Sequence, residues 1–254
     1  MRIVVKIGTS TLAHAGGRLN IRHTEALVKT LSDLKNAGHE LILVSSGAIG
    51  LGAGKLQIAR PTDMPTKQAA ASVGQCELMY VYDRLFAQYN HTVAQILVTR
   101  EDFDNADRCM NLKNTLFRLL QLGAIPVINE NDSVATEEIA LGDNDTLGAV
   151  VSRYIQADLL VVLSDIDGLY TADPHTHPDA LLIHRVDEIT TEIERLAGGA
   201  GSKLGTGGMA TKLSAARIAT GAGVDMVIAN GNEPAALYDI VEGKPVGTRF
   251  ARHL

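Results

Sequence analysis

Six carboxylates crowd the segment Asn129 to Asp145, NENDSVATEEIALGDND: Glu130, Asp132, Glu137, Glu138, Asp143 and Asp145, with no basic residue among them. The segment follows an apolar run, Ala124 to Ile128, of the kind that forms a buried parallel strand. Polar residues at the C-terminal end of such a strand stand where open α/β sheets bind ligands. A carboxylate cluster repels a phosphate unless cations or a bound amine balance it. The candidate cations lie far off in the chain, at Lys6 and Lys212. The expectation is a site assembled from three distant segments.

Four further stretches have residue types suited to anions. In Lys6-Ile7-Gly8-Thr9-Ser10 a lysine interrupts a strand of Val and Ile; it is either paired inside the protein or snorkels to water from a strand edge. Gly8 lets a backbone approach a ligand, and Thr9 and Ser10 add donors. Ser45-Ser46-Gly47-Ala48-Ile49-Gly50 runs from a strand into a helix N-terminus, which suits an anion site or simple capping by Ser46. The nearby Gly50-Leu51-Gly52-Ala53-Gly54-Lys55 looks like a nucleotide loop but fails the Walker pattern, with Ile49 at the first glycine position and Leu56 in place of Ser or Thr. Gly201 to Lys212, GSKLGTGGMATK, lacks the preceding strand and following acid of a dinucleotide fingerprint. It reads better as a phosphate cradle running into a helix, or else as a surface loop. Ser164-Asp165, in SDIDGLY after a buried strand, face either a nucleotide or a turn at Asp167-Gly168. His175, His177 and His184 have no metal-ligand spacing and read as solvated loop residues.

Positioning these residues falls to strands and helices that alternate along the chain. Strands are expected at Ile3–Ile7, Leu41–Val44, Val93–Val98, Ala124–Ile128, Leu159–Leu163 and Val224–Ala229. Helices are expected at Ile21–Ala37, stopped by Gly38, in a long region after Pro65, and at Asn111–Leu122, stopped by Gly123. After the acidic block, Leu147, Val150, Val151, Tyr154 and Ile155 fall on one helical face. Such alternation indicates an α/β fold, a mainly parallel sheet covered by helices on both faces. The glycine-rich stretch Gly198–Gly208 reads as a mobile loop within one domain rather than a boundary.

Bulk properties narrow the function classes. At 254 residues, 46% hydrophobic and 20% charged, the chain has the makings of a globular enzyme. A formal net charge of −6 argues against a broad nucleic-acid surface. Cys76 and Cys109 form no C-x-x-C pair, which suggests a reducing compartment. Neither a signal peptide nor a membrane-length apolar run is legible, so a cytoplasmic protein is expected.

VVKIGTS, VSSGAIG, PVINENDSVATEEIALGDND, LSDIDGLYTADP and GTGGMATK, in this order, resemble the amino-acid kinase family, and the NEND…GDND block resembles its glutamate 5-kinase branch. The resemblance implies a three-layer α/β/α sandwich and transfer of the ATP γ-phosphoryl group to the side-chain carboxylate of L-glutamate, the opening step of proline synthesis. It implies that Lys6 and Lys212 neutralise the transferring group, that Gly8 and Gly47 bring amides to it, and that Asp145 positions the lysines. Ser46, Gly47, Asp132 and Asn144 would bind glutamate. Lys6, Gly8, Ser164, Asp165 and the loop Thr206, Gly207, Gly208, Met209, Ala210, Thr211 and Lys212 would hold ATP, with Mg²⁺ on the nucleotide and no dedicated protein metal site. Proline is the expected feedback inhibitor, and a homo-oligomer, dimer or tetramer, the expected assembly. Two departures stand out. The sequence stops at Leu254, where many bacterial members continue into an RNA-binding-like PUA domain, so a short form, natural or truncated, is expected: one domain over 1–254, its N-terminal part for glutamate and its C-terminal part for ATP. Gly148 stands where the family commonly has serine, which should weaken its helix slightly. A sister kinase acting on another carboxylate or on a phosphate, or an amino-acid-binding regulator without catalysis, are the alternatives.

Overall fold

The computed structural model describes residues 1–14, 16–135, 143–174, 176–197 and 208–253. In chain order its elements are β1 (Arg2–Ile7), α1 (Thr9–Leu12), α2 (Ile21–Asn36), β2 (Glu40–Ser45), α3 (Ala48–Leu56), α4 (Met64–Ala87), β3 (Val93–Val98), α5 (Arg100–Asp104) and α6 (Ala106–Gln121). The chain continues through β4 (Ile125–Glu130), α7 (Asn144–Tyr154), β5 (Leu159–Ser164), β6 (Arg185–Val186), α8 (Thr191–Ala197), α9 (Met209–Gly221), β7 (Asp225–Asn230), α10 (Ala236–Val241) and β8 (Thr248–Phe250).

The strands form one sheet in the order β3-β4-β2-β1-β5-β7-β8-β6. Its first six strands are mutually parallel; β8 runs antiparallel to β7, and β6 lies parallel to β8. Strand side chains alternate between faces, and the two faces fill two separate cores. Val4, Val44, Ile128, Val162 and Ile228 pack with residues of α6, α7 and α9. Val5, Ile7, Leu43, Val127 and Leu163 pack with residues of α2, α3 and α4. This is the expected three-layer sandwich: covered on both sides, the central strands read as unbroken apolar runs.

Every expected strand is present within one or two residues of its expected bounds. The helix expected over Asn111–Leu122 starts earlier, at Ala106, because the Asn105 side chain caps it by accepting from the Asp107 and Arg108 backbone N–H groups. β6 and β8 escape sequence reading: two or three residues carry no pattern, and neighbours in the sheet hold them. The segment Gly50–Lys55, with its look of a nucleotide loop, lies within α3. Its glycines serve packing instead. A Cβ on Gly52 would stand 1.8 Å from the Ala70 carbonyl oxygen, and one on Gly74 of α4 would stand 1.8 Å from that of Ala48. The two helices therefore cross backbone against backbone, which only glycine allows. No described helix is long and apolar enough to cross a membrane.

Candidate active site

The chain passes from β1 to β2 on one side and later returns to β5 on the other, so the strand order reverses around β1. In open α/β sheets the crevice beyond the carboxyl ends at such a point is the binding place. Lys6, next to last in β1, shares the face of Val4, so the pleat points it toward α7 and α9. Asp145 occupies the first turn of α7, whose N-cap Asp143 accepts from the Thr146 N–H at 2.8 Å. The positive end of the helix dipole favours a carboxylate there. α9 begins after its N-cap Gly208 and presents Lys212 from its first turns.

These three side chains meet. Lys6 Nζ lies 2.6 Å from Asp145 Oδ1, an ion pair out of line for a hydrogen bond, and Lys212 Nζ donates to Oδ2 at 3.1 Å. Asp145 is fully buried, and Lys6 and Lys212 are 7% and 3% exposed. Lys6 is thus a paired lysine on a central strand, not one snorkelling from an edge. One carboxylate cannot neutralise two ammonium groups, so the trio keeps a surplus positive charge in a poorly solvated place. Such a surplus suits an arriving anion. Gly148 lies alongside: a Cβ there would meet Leu160 Cδ1 at 3.4 Å and Lys6 Cβ at 3.5 Å. The departure seen in the sequence therefore touches the stem of Lys6 as well as bearing on helix propensity.

Beside the trio, Ser46, Gly47 and Asn144 also come together. Gly47 adopts a left-handed conformation, φ 101°, as it starts α3. Asn144 Nδ2 faces three acceptors: Ser45 O at 3.1 Å, Ser46 Oγ at 2.8 Å and Asn129 Oδ1 at 3.0 Å. Asn129 Oδ1 also accepts from the Glu130 N–H at 2.9 Å, while its Nδ2 donates to Gln75 Oε1 at 2.9 Å. Ser45 Oγ and Tyr82 OH pair at 2.9 Å within the core. Asp132 stays apart from this network, half-buried on the turn after β4. Burial, helped by the Glu130 charge, pushes its carboxyl up to about 6. Of the acidic block, Glu137 and Glu138 lie outside the described residues, and Asp143 is a helix cap.

Across β1, the ends of β5 and β7 carry a second polar group. Ser164 is buried and donates to Asp165 Oδ1 at 3.1 Å; Asp165 is exposed. Asp167 accepts from Asn230 Nδ2 at 2.7 Å and from Tyr170 OH at 2.8 Å, and these bonds hold its carboxyl below the usual range. Met209, Ala210 and Thr211 form the first turn of α9, with Thr211 Oγ1 donating to Gly208 O at 2.7 Å. Thr206, Gly207, the stretch 198–205 and His175 lie outside the described residues. His184 Nδ1 stands 3.2 Å from the Gly247 carbonyl oxygen, and His177 Nδ1 2.9 Å from Thr176 Oγ1. Among the described residues no three His, Cys, Asp or Glu side chains gather to hold a metal ion.

Sequence reading assigned no role to Gln75, Tyr82, Ser45 or Asn129. A signal for the first was available: Ala71, Gln75, Leu78 and Tyr82 share one buried helix face, where a glutamine is out of place.

Two buried lysines on one carboxylate at the switch point of the sheet, beside a partly buried amide network, mark an α/β protein whose site suits an anion. Residues 1–230 match the Amino acid kinase family, and the chain belongs to that family, in its glutamate 5-kinase branch. The glutamate 5-kinase of Listeria innocua is 52% identical over 98% of this chain and 92% of its own length. That of Clostridium tetani is 54% identical over 98% of this chain and 93% of its own. Among solved structures, the carbamate kinase from Giardia lamblia bound to AMP-PNP has a TM-score of 0.71 at 15% identity, covering 99% of this chain and 98% of that one. The T. acidophilum isopentenyl phosphate kinase product complex has a TM-score of 0.67 at 18% identity, covering 98% and 100%. At such identities the two solved structures speak for the fold alone.

Proposed function

We propose that this chain transfers the γ-phosphoryl group of ATP to the side-chain carboxylate of L-glutamate. The observation that carries the reading is the buried Lys6–Asp145–Lys212 cluster at the switch point, one carboxylate between two ammonium groups. A carboxylate oxygen is already a nucleophile and needs no general base. It attacks the γ-phosphorus, the bond to the bridging β–γ oxygen breaks, and ADP leaves with that electron pair. What the protein must supply is alignment of two anions and neutralisation of the equatorial oxygens. Lys6 and Lys212 approach from β1 and α9, and Asp145 fixes both until phosphate oxygens share them. Gly8 and Gly47 offer backbone N–H groups close by.

In this reading Ser46, Gly47, Asn144 and Asp132 hold glutamate, with the Asp132 carboxylate taking its ammonium group. Ser164, Asp165 and the segment Thr206 to Lys212, together with Lys6 and Gly8, hold ATP. Mg²⁺ would come with the nucleotide and supply further neutralisation of phosphate charge, and it would need few protein ligands because it keeps most of its waters. Residues 1–254 act as one domain, the N-terminal part for glutamate and the C-terminal part for ATP. Inhibition by proline at or beside the glutamate pocket, a dimer or tetramer, and a cytoplasmic setting complete the reading, on family resemblance.

The test is ATP- and Mg²⁺-dependent hydroxamate formation in hydroxylamine, comparing L-glutamate, L-aspartate, N-acetyl-L-glutamate and no acceptor. Signal with L-glutamate alone is expected. Signal with another carboxylate instead would move the chain to a sister activity, and none with any would overturn the reading.

A further inference from the structure

α4 takes no part in the chemistry above, yet one of its faces is tied to the substrate side of the cleft. Gln68 Nε2 donates to Ala135 O at 3.1 Å, Ser72 Oγ pairs with Ser133 Oγ at 2.8 Å, and Gln75 Oε1 accepts from Asn129 Nδ2 at 2.9 Å. The spacing i, i+4, i+7 puts all three on one stripe, and the stripe follows the segment Asn129–Ala135. The first contact is partly buried and the second exposed. Gln75 is the buried one, 7% exposed, and its partner Asn129 is 2% exposed.

We infer that Gln75 is a positioning residue for the amino-acid substrate, acting through Asn129 on Asn144 and Ser46; the inference rests on the glutamate kinase reading. Donor and acceptor roles along the chain of amides are fixed at both ends by groups that cannot reverse. The Glu130 N–H can only donate, so it faces Asn129 Oδ1; the Ser45 carbonyl can only accept, so it faces Asn144 Nδ2. Asn129 must then turn its own NH₂ away, into the interior, where Gln75 Oε1 receives it. On the other side, Asn144 Nδ2 donates to Ser46 Oγ, which frees the Ser46 hydroxyl proton to donate outward. Asn144 Oδ1 accepts from no described residue. The pocket therefore offers a hydroxyl donor and a carbonyl acceptor side by side, a polarity matched to a carboxylate and an ammonium group.

Removing the acceptor at position 75 strands a buried amide N–H on Asn129, a cost that a buried donor does not tolerate. Asn129 regains a partner only by rotating its amide, and rotation gives up the bond to Asn144. The loss should then appear at the amino-acid pocket and spare the nucleotide. The backbone-to-backbone crossing at Gly52 and Gly74 holds α4, and so Gln75, at a fixed distance from α3.

The test compares Gln75→Met, similar in size but without the acceptor, with Gln75→Glu, which retains one. In the hydroxamate assay Gln75→Met should raise the KM for L-glutamate about tenfold, with the KM for ATP within about twofold of wild type and kcat changing less than the glutamate KM. Gln75→Glu should restore most of the glutamate KM. A wild-type glutamate KM in Gln75→Met, equal loss for both substrates, or no recovery in Gln75→Glu would overturn the inference. If Gln75→Met does not fold, Gln75→Asn, whose amide is withdrawn by one methylene, carries the same expectation. An inactive wild type would sink the functional reading but not decide this one. Calorimetric binding of L-glutamate to the same variants then decides it, with wild-type affinity in Gln75→Met as the refuting result.

Discussion

Asp145 stands between two buried ammonium groups, and simple charge counting makes opposite substitutions in the trio behave differently. As they stand, Lys6, Lys212 and Asp145 sum to one surplus positive charge. Lys212→Met keeps the side-chain volume and leaves a neutral Lys6–Asp145 pair. Asp145→Asn keeps the shape but takes away the carboxylate that both ammonium groups, 7% and 3% exposed, share. Stranding a buried charge costs about 3–5 kcal/mol, whereas replacing one by a well-packed apolar group is often neutral or stabilising. For a chain of this size each kcal/mol shifts Tm by about 2–4 °C, so Asp145→Asn should lower Tm by about 6–20 °C. Lys212→Met should leave it unchanged or slightly higher. Both should lose about three orders of magnitude or more in kcat, because each takes away charge stabilisation or its alignment in the transition state. Differential scanning calorimetry alongside the hydroxamate assay reads both quantities. Equal destabilisation by the two substitutions, or Lys212→Met with near-normal turnover, would refute the argument and reduce the trio to a structural clamp.

The Asp132 carboxyl, held at about 6 in the folded protein, binds more protons there than in the unfolded chain, where about 3.9 is usual. Its contribution to stability is therefore complete below about pH 4 and is lost as pH rises through about 6. Asp132→Asn should exceed wild type in stability by about 1–2 kcal/mol at pH 7.5, the shift being discounted for residual solvent contact, and match it at pH 4. A denaturant series at the two pH values checks this, and the same protonation should raise the glutamate KM of wild type below pH 6. Gly74→Ala would drive a methyl group to 1.8 Å from the Ala48 carbonyl oxygen. It should cost about 3 kcal/mol or more by forcing α3 and α4 apart, and should raise the glutamate KM more than that for ATP. Unchanged thermal stability would show that the crossing yields.

Much of the sheet was legible in advance because its strands lie between two helical layers, so that β1, β2, β4 and β5 appear as short, mostly apolar runs with their polar residues largely at the ends. Lys6 was conspicuous for the same reason, as the one charge in such a run. The candidate site residues could also be picked out by type: a lysine near each end of the chain, an acidic block between them, and small residues after a strand. Helix and strand limits set by side-chain caps or by neighbours were less so. Asn105 decided where α6 starts, and β6 and β8 exist through pairing with other strands.

What the sequence could not decide is who touches whom. The acidic block looked like a common pool of negative charge, yet its described members divide: Asp145 pairs with both lysines, Asp143 caps α7 and Asp132 stands half-buried on its own turn. Whether Lys6 faces water or a carboxylate depends on the parity of the β1 pleat and on α7 lying across that face. Gln75 gained its partner only when the glycine crossing brought α4 against α3 and the end of β4. Residue types, apolar runs and periodicity are local properties and can be read along the chain. Ion pairs and amide networks join residues that only the packing of helices on the sheet brings within 3 Å or so, and that belongs to the tertiary structure alone.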